Sequence, residues 1–140
     1  MFDAFILRVD GSYSVESFDD NTVDLNYLHY AADCSIIEVV DAVNISHYLA
    51  SVGLPYRAVI VIDDCGKLLR KRPNLLATGT CADYLRPGDF IAGQALLCLR
   101  ESGYDGDDLV LCPDHVSNWL VNVLNDMSKV AVDSYRRSGI

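Results

Sequence analysis

An α+β fold is predicted for this chain: one compact domain, residues 1–140, with a mainly antiparallel sheet, a short N-terminal helix and a long C-terminal helix. Three observations carry the prediction. Short apolar or alternating runs, punctuated by Gly, Asp, Asn and Pro, recur as far as Cys112, as in antiparallel strands joined by turns. A single long segment of helical spacing follows Pro113. No linker, repeat or low-complexity segment divides the 140 residues, a length suited to one core.

The elements follow in order. Residues 2–9 read as a strand that turns at Asp10-Gly11, and residues 13–18 alternate apolar and polar like a partner with one solvated face. Asn21 reads as a helix N-cap with Asp24 three residues on, and Leu25, Leu28 and Ala32 form the apolar stripe of a short helix. Residues 35–40 return to strand. Asn44 reads as the cap of a second short helix, with Ile45, Tyr48, Leu49 and Val52 on one side, Gly53 as its terminator and Pro55 beyond it. Residues 58–62 are apolar on both faces, which places them inside the sheet. An acidic turn at Asp63-Asp64-Cys65-Gly66 and a basic loop, 67–74, lead to a strand-like run at 89–97. Residues 91–99 and 109–112 then form a hairpin across the polar segment 101–108. The last helix carries Val116, Trp119, Leu120, Val123, Leu124, Met127, Val130 and Ala131 at helical spacing, with Trp119 expected in the core. Arg136 and Arg137 suit its C-terminal dipole.

Composition narrows the function classes. Eleven basic residues against twenty acidic ones give a net charge of −9, which disfavours general nucleic-acid binding. The same balance suits solubility, a basic partner or mimicry of nucleic acid. A positive mean hydropathy of +0.17 implies a generous core or apolar surface kept for another chain, and a homodimer is expected. No stretch has the length of a membrane helix and the N-terminus lacks a signal-peptide pattern, so no membrane association is expected. Five cysteines without a C-x-x-C spacing fit free thiols in a reducing cytoplasm, with no metal and no cofactor expected.

The densest constellation is basic. Lys67, Arg70, Lys71 and Arg72 place four of the eleven cations within six positions, and Asn74 follows. Arg forks pair with phosphate, so these five residues form a candidate edge for a small anionic ligand; a solvated loop answering nearby carboxylates is the plainer reading. Gly66-Lys67 lacks the earlier Gly and the following Ser or Thr of a P-loop. Asp105-Gly106-Asp107-Asp108 lacks EF-hand spacing and reads as a turn, as does Asp63-Asp64. His29, His47 and His115 follow no ligand spacing, and nothing local marks Cys112 with His115 as a nucleophile pair. Tyr48 and Tyr56 are the candidate partner-binding aromatics.

Several short strings also stand in a telling order. These are Ile36-Ile37-Glu38-Val39-Val40, the strand 58–62 with its acidic turn and Gly66-Lys67, then Pro73-Asn74, Asp89-Phe90-Ile91-Ala92-Gly93 and Leu111-Cys112-Pro113-Asp114. Their order and spacing resemble the bacterial and phage domain-of-unknown-function family 3846. Three features depart from its pattern: residues 42–57 read as an insertion, Gln94 stands where Thr is usual, and the last helix is long. The resemblance implies a small accessory protein of phages or mobile elements, acting in the host cytoplasm. The expected function is that of a non-enzymatic binding protein that sequesters or blocks a host component, a defence component included. A nucleotide sponge using loop 67–74 and a small hydrolase or nucleotide-modifying enzyme are the alternatives.

Overall fold

The sheet is organised around two strands that carry apolar side chains on both faces. The computed structural model describes residues 1–103 and 106–138, and the side chains of residues 102, 103, 106 and 107 are not described. β4 (Arg57–Asp63) and β5 (Ala95–Gly103) pair antiparallel, with Ile60 opposite Leu97. Ala58, Ile60, Ile62, Leu97 and Leu99 enter one core layer; Val59, Val61, Leu96 and Cys98 enter the other. Burial on both sides demands continuous apolar runs, which is why these two stand out in the sequence. β1 (Phe2–Leu7) pairs with the start of β5, and β2 (Tyr13–Phe18) lies outside β1. β3 (Ile37–Asp41) closes the opposite side, giving the order β2-β1-β5-β4-β3. β6 (Gly106–Val110) runs back along the far half of β5, and β7 (Cys112–Pro113) continues onto β1. All seven strands pair antiparallel.

Helices cover both faces. α1 (Leu25–Ala31) places Leu28, Ala31 and the following Ala32 over one. α2 (Val43–Ser51), α3 (Leu75–Thr80) and α4 (Asp114–Ser138) cover the other. α4 buries Val116, Leu120, Leu124, Ala131 and Tyr135, whose spacings of four and seven define one narrow stripe. Each fully buried Leu contributes about 1.5–3 kcal/mol. Trp119 and Val130 lie outside that stripe, 41% and 65% exposed, because Leu120 and Ala131 take the core-facing turns beside them. Trp119 instead meets the Tyr48 ring edge-on at 6.4 Å.

Local corrections have local causes. The cap of α1 is Asp24, whose carboxylate accepts the Tyr27 amide at 2.7 Å. Asn21 serves the returning strand instead, its carbonyl accepting the Leu111 amide. α2 begins one residue before Asn44, so Asn44 sits inside the first turn and its side chain accepts the amide of Asp83. Gly53 does end α2: at φ +82° it lets its own amide reach Ala50 and that of Leu54 reach Leu49. Segment 42–57 serves the core through Ala42, Ile45 and Leu49. Residues 89–94 are not strand, because their backbone bonds to loop 72–74, to Thr78 and to Arg86 and not to a ladder. The Asn74 amide donates to Ile91, and that of Gly93 to Arg72.

Candidate functional site

Two loops, 64–74 and 89–94, cross at one end of the sheet, and Asn74 locks the crossing. Its side-chain amide donates to the carbonyls of Leu7 and Gly93, both at 2.9 Å, and its oxygen caps α3 by accepting the Ala77 amide. Asn74 is fully buried, so its polar atoms hold β1, loop 89–94 and α3 together and face no ligand. Tyr135 adds a second latch. Its hydroxyl donates to the Pro73 carbonyl at 2.5 Å and accepts the Leu75 amide at 2.8 Å. The last turns of α4 are therefore what carry Tyr135 to the crossing.

The basic residues of the loop divide around this lock. Lys67 turns into a cleft of about 290 Å³ whose lining includes Glu38, Asp64, Asp89 and Phe90. There it pairs with Asp89 and lies over the Phe90 ring at 4.9 Å. Although Glu38 is exposed, partial desolvation of its carboxyl, the Asp64 charge and a hydrogen bond shared with Asp64 raise its pKa above the ordinary value, against the pull of Lys67. Lys71 reaches the buried Asp63 at 2.8 Å and donates to the Asp33 carbonyl. Burial pushes the Asp63 carboxyl up. The Lys71 hydrogen bond, the Cys65 amide and the Lys71 charge outweigh that, so Asp63 stays below its ordinary value. Arg70 is exposed in a left-handed conformation at φ +56°.

Arg72 takes the other side of the crossing. It lines a pocket of about 480 Å³ with Arg8, Asp10, Lys71 and Gln94. Leu7 pairs with Ala95, so Arg8 falls beside Gln94 and bonds its side-chain oxygen at 3.4 Å. The other Arg8 nitrogen donates to Ser14 at 2.9 Å. Arg72 lies 5.9 Å from the centre of the Tyr135 ring. Among the described residues neither guanidinium is ion-paired with a carboxylate. Asp10, the nearest acid along the chain, accepts the Ser12 hydroxyl and amide; those bonds, with the charge of Arg8 as a smaller cause, lower its pKa, and Asp33 lines the same pocket. Nothing local in the sequence marks Arg8 as a member of this site, because its place depends on the β1–β5 register.

The remaining candidates lie apart. Tyr48 and Tyr56 are half-buried. Tyr48 packs on Trp119, and the Tyr56 hydroxyl meets His115 Nε2 at 3.2 Å. Cys112 is fully buried and burial drives its thiol well above the ordinary value, while His115 is exposed. Burial likewise pushes Cys81 up to about 11 and Cys98 up to about 12. Asp105 of the proposed turn lies outside the described residues. Among the described residues no group of three or more His, Cys, Asp or Glu side chains could hold a metal ion, and no helix is long and apolar enough to cross a membrane. No family model, curated protein or solved structure matches the chain.

Proposed function

We propose that this protein is a non-enzymatic binding module that takes up a small anionic ligand in the pocket of Arg8 and Arg72. One observation carries the reading: two guanidiniums without carboxylate partners among the described residues line one cavity of a chain with twenty acidic residues. Arg8 and Arg72 are both exposed, so an incoming anion reaches them without breaking an ion pair among the described residues. Arg offers a planar fork suited to phosphate or carboxylate. Lys71 contributes charge to the pocket wall, but its bonds to Asp63 and Asp33 make it a fixed part of that wall. In line with the resemblance to phage and mobile-element proteins, such uptake would sequester a host metabolite or signal: the nucleotide-sponge alternative, with its site narrowed within loop 67–74 to Arg72 and joined by Arg8. The buried, high-pKa thiols of Cys81, Cys98 and Cys112 are poor nucleophiles, which counts against those three cysteines in the hydrolase alternative.

Native mass spectrometry of protein purified from host lysate, with a thermal-shift panel of inorganic phosphate and nucleoside mono- and triphosphates, tests the proposal. A retained anion, or a stabilising shift that Arg8→Ala and Arg72→Ala each abolish, is expected. No retained species and no shift across the panel contradicts it.

A further inference from the structure

The geometry points to the free edge of β3 as a docking site for an extended basic peptide, which adds a strand to the sheet and places a Lys or Arg beside Glu38. This surface is separate from the Arg8–Arg72 pocket and does not depend on it.

The edge is open by parity. The Asp64 amide donates to Ile36 and the Ala42 amide to Ala58, so even-numbered residues of β3 bond to β4. In an antiparallel ladder the alternate residues then turn their backbone groups away. Ile37, Val39 and Asp41 therefore present outward N–H and C=O groups, which meet no partner among the described residues. Unpaired groups of this kind are a template for another strand.

Charge selects the occupant. Glu38 lines the cleft that also holds Asp64 and Asp89, where Lys67 is the one cation and is already paired with Asp89. The Glu38–Asp64 pair keeps an excess of negative charge at the edge, consistent with the elevated Glu38 pKa. Asp41 adds none, since it is answered by Arg100 at 3.5 Å and Arg57 at 4.0 Å. A second copy pairing through β3 would bring Glu38 and Asp64 towards their own kind, each copy carrying −9. A cationic strand meets the opposite situation. One end of it would also cover Ile36, Leu68 and Leu69, which are 59%, 82% and 62% exposed and share one shallow pocket.

The test is fluorescence anisotropy with a labelled peptide of alternating Val and Lys, beside a Val–Glu peptide and a Val–Lys peptide N-methylated on alternate amides. The Val–Lys peptide should bind, with affinity falling as salt rises, and Glu38→Lys should weaken it at least tenfold. Glu38 is exposed, so this variant keeps the fold, which circular dichroism checks. N-methylation should weaken binding to a similar degree. Absence of binding, equal affinity for the Val–Glu peptide or indifference to Glu38→Lys overturns the proposal. So does concentration-dependent protection of the Ile37, Val39 and Asp41 amides in the free protein, which would assign the edge to a second copy.

Discussion

Asn74 shows how a side chain suited to ligand contact is consumed by the fold. The sequence places it beside a basic loop, where an amide could contact an anion, yet all of its bonds run inward. Asn74→Ala should cost about 2–5 kcal/mol in urea denaturation, because it uncaps α3 and strands two buried carbonyls. Asn74→Asp keeps the cap but faces a carboxylate with those carbonyls, so it should be less stable than the parent and recover partly as acid protonates it. Asp63 predicts the opposite trend with pH. Its folded pKa lies below the ordinary value, so its contribution is complete above the unfolded pKa and is lost as pH falls through the folded one. Replacing it with Asn should lower stability at pH 7 and flatten the loss of stability below about pH 4, the ordinary carboxylate range, as read from denaturation midpoints across pH.

Elements were legible where one physical signal dominated. The runs of β4 and β5 stand out because both faces are buried, and α4 stands out because its stripe persists from Val116 to Tyr135 of a 25-residue helix. Ends were less legible, since caps depend on where a helix starts and not on which polar residue lies nearby; Asn21 and Asn44 both sit close to a start and cap neither helix. α3 is only six residues long and went unseen. It is held by its own N-cap, Asn74, whose side chain also bonds Leu7 and Gly93, and by Tyr135 from the far end of the chain. Two glycines measure how elements are joined. Gly53, at φ +82°, has open space around a Cβ, so Gly53→Ala should cost about 1 kcal/mol from the backbone alone. Gly11, at φ +91°, would place a Cβ 2.9 Å from the Val132 amide nitrogen of α4, and its carbonyl accepts the Ser128 hydroxyl at 2.6 Å. Gly11→Ala should therefore cost clearly more than Gly53→Ala, about 2 kcal/mol or above, in the same denaturation experiment.

Across the whole molecule, the crossing of loops 64–74 and 89–94 sorts the charge. Lys67 and Lys71 are spent on Asp89, Asp63 and Asp33, while Arg72 joins Arg8 from the far end of β1. The basic run was visible in sequence; its division was not. A one-dimensional run cannot show that Asp63 and Asp89 fold back onto it, nor that Leu7 pairs with Ala95 and brings Arg8 alongside. Of the basic run, Lys71 and Arg72 line the pocket, together with Arg8, which lies sixty-four positions before Arg72.

Isothermal titration of the protein with pyrophosphate at low and at physiological salt tests that pairing most directly. Arg8→Ala and Arg72→Ala should each weaken binding roughly tenfold or more, the range expected for a lost charge-assisted hydrogen bond. Arg70→Ala, which removes an equal charge outside the pocket lining, should leave affinity nearly unchanged. Equal losses in all three variants would reduce the pocket to a diffuse charge effect, and a parent protein that takes up no pyrophosphate at either salt would contradict the account outright.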